Sequence, residues 1–118
     1  MILADTNIWI DHLRAGDSRL VHLLEEDELF MHPAIRGELS LGSIRDRTGF
    51  ITMLAYLPSL KPSPDEEVMA LIEETQLFGR GIGWVDAQLL TACLSRPCRF
   101  WTRDRRLAAV ATELGIGA

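Results

Sequence analysis

The chain has one lysine and two cysteines in 118 residues, and each scarcity excludes something. Cys93 and Cys98, separated by Leu94-Ser95-Arg96-Pro97, could supply half of a zinc site, but no second cysteine pair or nearby histidine completes it. They read instead as ordinary, partly buried thiols, the usual state of free cysteine. No apolar run approaches the roughly 18 residues that span a bilayer. The opening Met1-Ile2-Leu3-Ala4-Asp5 lacks the basic start and long apolar stretch of a secretory leader, so a cytoplasmic protein is expected. There is also no repeat, linker or low-complexity tract, and one domain over residues 1–118 is expected.

What is present is the composition of a soluble globular chain, 47% hydrophobic and 25% charged, at a length that buries a core without disulfides. The net charge of −5 runs against phosphate binding, which draws on Lys and Arg. Two features soften the conflict. Setting aside four carboxylates that are candidate metal ligands brings the remainder close to neutral. The basic residues, apart from Lys61, are all arginine, the side chain suited to bidentate phosphate contacts.

Apolar runs and helical spacing alternate along the chain. Ile2-Leu3-Ala4, Leu29-Phe30-Met31 and Arg99-Phe100-Trp101-Thr102 read as strands, with a short one near Leu60. Helices are predicted from Ile8 to near Gly16, from Asp17 or Ser18 through Leu24, and from Pro33 through Glu38 to Gly42. Further ones are predicted over Arg45–Leu57, from a Ser63-Pro64-Asp65-Glu66 capping box to Phe78, from Trp84 or Val85, and over Arg105–Glu113. Strands alternating with helices imply a parallel sheet covered on both faces.

Asp5 and Asp104 follow predicted strands, Asp86 opens a predicted helix, and Glu38 lies inside one. In open α/β sheets the ligand crevice lies beyond the carboxyl ends of the strands, so acids placed there would converge. Converging carboxylates raise one another's pKa unless a cation neutralises them, and all-oxygen ligand sets suit Mg²⁺ or Mn²⁺. The stretches Ala4-Asp5-Thr6-Asn7-Ile8, Arg36-Gly37-Glu38-Leu39, Trp84-Val85-Asp86-Ala87 and Thr102-Arg103-Asp104 together resemble a PIN domain. The chain is similar in particular to the VapC-type toxins of bacterial type II toxin–antitoxin systems, over nearly its whole length. Each motif alone is weak, but four in order within one small chain form a specific pattern.

The resemblance implies a three-layer α/β fold with a short parallel sheet of four to five strands flanked by helices. It implies Asp5, Glu38, Asp86 and Asp104 as catalytic metal ligands, with Thr6, Asn7 and Thr102 supporting them. It further implies cleavage of structured RNA such as tRNA or rRNA with Mg²⁺ or Mn²⁺, inhibition of translation, a cognate antitoxin and a homodimer. Each acid also has a plainer reading: Asp5 and Asp104 as helix caps, Asp86 as a charge favouring a helix N-terminus by about 0.3–1 kcal/mol, and Glu38 as a solvated surface side chain. Arg80 and Arg103 are the basic residues nearest the acids in sequence and are candidate phosphate contacts. His12, His22 and His32 form no cluster and are assigned no catalytic role. Trp9 and Trp84 read as core or partner surface.

Two rival readings remain at this level. A receiver-like or haloacid-dehalogenase-like phosphotransfer protein also begins with acids after a strand. The dehalogenase type wants an Asp where this chain has Asn7, and both types want a late Lys, whereas the one Lys is Lys61. A PIN-like module without activity, binding only metal or protein, is the non-enzymatic alternative. The early helices, with Ile8, Trp9, Leu13, Leu20, Leu23 and Leu24, suggest more apolar surface than a small domain buries, and hence a partner groove.

Overall fold

The computed structural model describes all residues from Met1 to Ala118. Three parallel strands form the sheet: β1 (Ile2–Ala4), β2 (Leu29–Phe30) and β3 (Arg99–Trp101), in the order β2-β1-β3. Leu3 pairs with Phe30 on one side and Phe100 on the other. Seven helices complete the chain. These are α1 (Thr6–Ala15), α2 (Ser18–Glu25), α3 (Pro33–Ser40), α4 (Arg47–Tyr56), α5 (Asp65–Glu74), α6 (Trp84–Leu94) and α7 (Arg105–Glu113).

The fold class is the expected one, with a shorter sheet. A fourth and a fifth strand are reduced to single bridges, Met31 to Ser59 and Phe100 to Gly117. Pro58 and Pro62 flank the first of these and have no N–H to offer a ladder. Pairing there is limited to Met31 N–H donating to the Pro58 carbonyl at 2.8 Å and Leu60 N–H to the Met31 carbonyl at 2.7 Å.

Helix starts follow local chemistry. Asp17 caps α2 by accepting from the Leu20 N–H at 2.9 Å, and His32 Nδ1 caps α3 at Ala34 N–H, 3.0 Å, with Pro33 in the first turn. The expected Ser63 capping box does not form. Pro64, extended at φ −57° and ψ 148°, is itself the cap residue of α5, and the acids Asp65, Glu66 and Glu67 favour that end through the helix dipole. The helix stops at Glu74 rather than Phe78, because Gln76 takes a left-handed φ of 52°.

The core joins both faces of the sheet through Leu3, Ile8, Trp9, Ile35, Leu89, Leu90, Phe100 and Leu107, all fully buried. Trp9 meets Phe50 edge-on, with ring centroids 6.0 Å apart. Ile8, Trp9 and Leu20 are therefore interior, and of the six early apolar residues only Leu13 is well exposed. The periodicity that suggested a surplus surface is core packing. Cys93 and Cys98 are buried free thiols with sulfurs 3.6 Å apart. No helix is long and apolar enough to cross a membrane.

Phe100 sits at the junction of β1, β3 and the Ile116–Ala118 segment. Phe100→Ala should lower the unfolding free energy by about 3–5 kcal/mol, read from urea titration. A loss under about 1 kcal/mol would show that this ring does not anchor the sheet.

Candidate metal centre

Parallel strands place their carboxyl ends on one edge, and β1 and β3 end side by side. The ladder runs one residue past β1: Asp5 N–H donates to the Trp101 carbonyl at 2.8 Å. Asp5 is thereby held against Thr102, and its side chain is buried.

Each Asp5 oxygen is oriented. Oδ1 accepts from the Thr6 N–H at 2.8 Å, which also caps α1. Oδ2 accepts from Thr102 Oγ1 at 2.8 Å and from Asn7 Nδ2 at 3.4 Å. Asn7 Nδ2 also donates to Thr102 Oγ1 at 3.1 Å, and its Oδ1 accepts from the Arg103 N–H at 3.1 Å. Thr6, Asn7 and Thr102 thus hold one carboxylate and tie β1 to β3.

Glu38 reaches the same edge from α3, accepting from Thr6 Oγ1 at 3.1 Å while remaining exposed. Asp86 comes from the first turn of α6, and its Oδ2 accepts from the Gly83 N–H at 3.0 Å. The three acids feel one another. Burial first, then the charges of Asp86 and Glu38, push the Asp5 carboxyl above its ordinary range, against the lowering effect of bonds from Thr102 and Thr6.

Asp104 enters differently. Its Oδ1 caps α7, accepting from Arg106 N–H at 3.0 Å and Leu107 N–H at 3.1 Å. Its own N–H donates to Thr102 Oγ1 at 3.2 Å, so it borders the cluster through Thr102 and keeps Oδ2 free of the cap. The structure therefore brings Asp5, Glu38 and Asp86 together as charges and attaches Asp104 at the rim.

The donor set fits a hard divalent cation. It is all oxygen, it is electrostatically strained, and its carboxylates retain unused lone pairs. No three His, Cys, Asp or Glu side chains already share one coordination point.

The two arginines expected near phosphate are engaged elsewhere. Arg80 forms a bidentate pair with Glu113 at 2.7 and 2.8 Å. The Arg103 guanidinium bridges Asp11 and Asp17. Sequence reasoning passed over Arg105 and Arg106, although Arg103-Asp104-Arg105-Arg106 is the densest basic run in the chain. Of the histidines, His12 accepts from the Asp17 N–H and His32 caps α3. A surface cleft of about 730 Å³ lies at the opposite edge of the sheet among Met1, Glu28, Cys98 and Arg99, away from the acids.

Comparison with known proteins gives the family. The PIN domain family model matches residues 2–113. Ribonuclease VapC32 from Mycobacterium tuberculosis, in strains CDC 1551 / Oshkosh and ATCC 25618 / H37Rv, is 47% identical over 117 residues, covering 98% of this chain and 94% of the relative. A chain in the solved structure of FitAB bound to an IR36 DNA fragment superposes with a TM-score of 0.64 at 18% identity, covering 95% of this chain and 91% of that one, and so shares the fold. From the motifs at Asp5, Glu38, Asp86 and Asp104 to the strand-end site they build, the chain belongs to the PIN-domain family and, within it, to the VapC type.

Proposed function

We propose that residues 1–118 form one working domain, the toxin of a type II toxin–antitoxin pair, and that it is an endoribonuclease dependent on Mg²⁺ or Mn²⁺. Its targets are structured RNAs such as tRNA or rRNA, and cutting them inhibits translation in the cytoplasm. The observation that carries this reading is the buried, pKa-raised Asp5 beside Asp86 and Glu38 at the carboxyl edge of the parallel sheet. The ribonuclease name of the VapC32 relative supports it.

Asp5, Asp86, Glu38 and Asp104 would hold the metal. When bound, the ion supplies Lewis-acid stabilisation of the phosphate and makes water more acidic at neutral pH. The chain's own groups then divide the work. Asp5, fixed by Thr6, Asn7 and Thr102, presents a carboxylate of set orientation, as outer hydrogen bonds do at metal sites generally. Glu38 is exposed and holds a single hydrogen bond, from Thr6, so it is placed to take a proton from water. Asp86 keeps Oδ1 free while Gly83 anchors Oδ2.

A cognate antitoxin and a homodimer complete the reading. A groove of about 370 Å³ opens between α1 and the α3–α4 connection, lined by Ile10, Leu13, Leu39 and Ile44, with Arg14 and Glu38 among its walls. An antitoxin segment seated there would cover one of the acids.

Asp86→Asn should slow cleavage by about 10²–10³-fold, the scale of losing one preorganised electrostatic interaction, with the circular dichroism spectrum unchanged. Excess EDTA should abolish cleavage by the wild type. A folded Asp86→Asn protein cutting RNA at the wild-type rate, or cleavage persisting in EDTA, would overturn the assignment.

Asp5 gives a second, opposite readout. An acid whose pKa rises on folding favours the native state most below its unfolded pKa, and that stability is lost as pH rises through the folded value. At pH 7 the charged Asp5 therefore costs stability. Asp5→Asn should lose activity while its thermal midpoint at about pH 7 rises by a few degrees, a gain that disappears on acidification toward about pH 4. A lower midpoint than wild type at pH 7 without metal would contradict the site's electrostatics.

A further inference from the structure

A protein carrying −5 overall that grips a polyanion must gather its positive charge in one place. One cleft does so. Arg80, Arg105 and Arg106, with Ala109, line a depression of about 410 Å³ between the Gly79–Gly83 loop and the first turns of α7. Its lining includes no carboxylate.

The three guanidiniums differ in freedom. Arg80 is paired with Glu113, whereas neither Arg105 nor Arg106 has an ion-pair partner, and both are exposed. An unpaired guanidinium retains all its donors for a phosphate. Arg106 lies flat over Gly81, so that a Cβ added to this glycine, at φ +77°, would stand 3.1 Å from the Arg106 Cδ. The lack of a side chain at Gly81 is what lets Arg106 lie along the loop.

The cleft is built from the same parts as the acid cluster. The loop beneath Arg106 ends at Gly83, whose N–H anchors Asp86. On the other wall, the Arg106 N–H is capped by Asp104, and Asp104 connects through Thr102 to Asp5. The positive cleft and the acid cluster therefore share two elements, the Gly79–Gly83 loop and the start of α7.

We infer that this cleft binds the phosphodiester backbone of the RNA substrate through the unpaired Arg105 and Arg106, with Arg80 joining where phosphate displaces Glu113. This rests on the nuclease reading for its ligand and replaces Arg103, whose guanidinium is held by Asp11 and Asp17. Guanidinium contacts to phosphate position a strand and carry no base sequence. The cleft thus sets affinity and register along the RNA and leaves base choice to other parts of the surface. Glu113 acts as a brake, since its carboxylate competes with phosphate for Arg80.

The test is fluorescence anisotropy of a short single-stranded RNA titrated with protein in excess EDTA, which leaves no metal to support cleavage, across a range of salt. Arg105→Gln/Arg106→Gln should weaken binding and flatten the dependence of log K on log salt by about 1.4, which is about 0.7 for each phosphate left unneutralised on a single strand. Glu113→Gln should act oppositely and tighten binding. The charge-matched pair Lys61→Gln/Arg96→Gln, distant from the cleft, should leave the slope unchanged. The inference is overturned if the arginine pair keeps the wild-type slope, or if the control pair flattens it equally. Because the probe is not cut, binding through the cleft by a protein that cleaves nothing would remove the nuclease reading alone. Cleavage with an unaltered salt slope in the arginine variant would remove this inference alone.

Discussion

The interaction on which the rest depends is the grip on one buried carboxylate. Asp5 is drawn below the surface at the end of β1 and oriented by Thr6, Asn7 and Thr102. Burial raises its pKa, and the charges of Asp86 and Glu38, from two other elements, add to that. Left to itself, such an arrangement is unfavourable, since a buried carboxylate lacks water and like charges beside it repel. On the proposed reading a hard cation relieves it, and the hydrogen bonds around Asp5 fix the carboxylate's orientation without one. The fold supplies the rest by topology. Parallel pairing of β1 with β3 puts Asp5 and Thr102 side by side, and the N-terminus of α6 delivers Asp86.

The acids at this edge also have structural work in the fold. Asp5 caps α1 and Asp104 caps α7, so the plain reading of each as a helix cap is correct and does not exclude a role at the metal. Thr102 accepts from Asn7 and Asp104 and donates to Asp5, and one hydroxyl thus joins two acids from adjacent strand-to-helix turns. Two effects oppose each other here: the hydrogen bonds secure the sheet edge, and burying the charge they orient works against the native state.

Much of this was legible in the amino-acid order, because it is local. Short apolar runs ending in Asp5 and Thr102, Pro33 at a helix start, and the helix from Trp84 all declare themselves within a few residues. The acids were found through their spaced motifs rather than through any one of them. What stayed hidden depends on contacts across the chain. Nothing adjacent to Arg103 announces that Asp11 and Asp17 hold it, and nothing near Arg106 announces the glycine loop beneath it. The early helices misled for a related reason: helical periodicity shows that Ile8, Trp9 and Leu20 face something apolar, and the interior of the same domain satisfies that as well as a partner would. Ser63 failed as a cap because the backbone at Pro64 is still extended, a matter of one residue that propensity does not resolve.

The most direct test of the central claim is calorimetric titration of Mn²⁺ into the purified protein and its Glu38→Gln and Asp86→Asn variants. The expected result is saturable binding by the wild type that weakens with each carboxylate removed by at least the roughly 10-fold that losing a mere outer hydrogen-bonding partner costs. No saturable binding, or binding indifferent to both substitutions, would contradict a metal centre built from these acids.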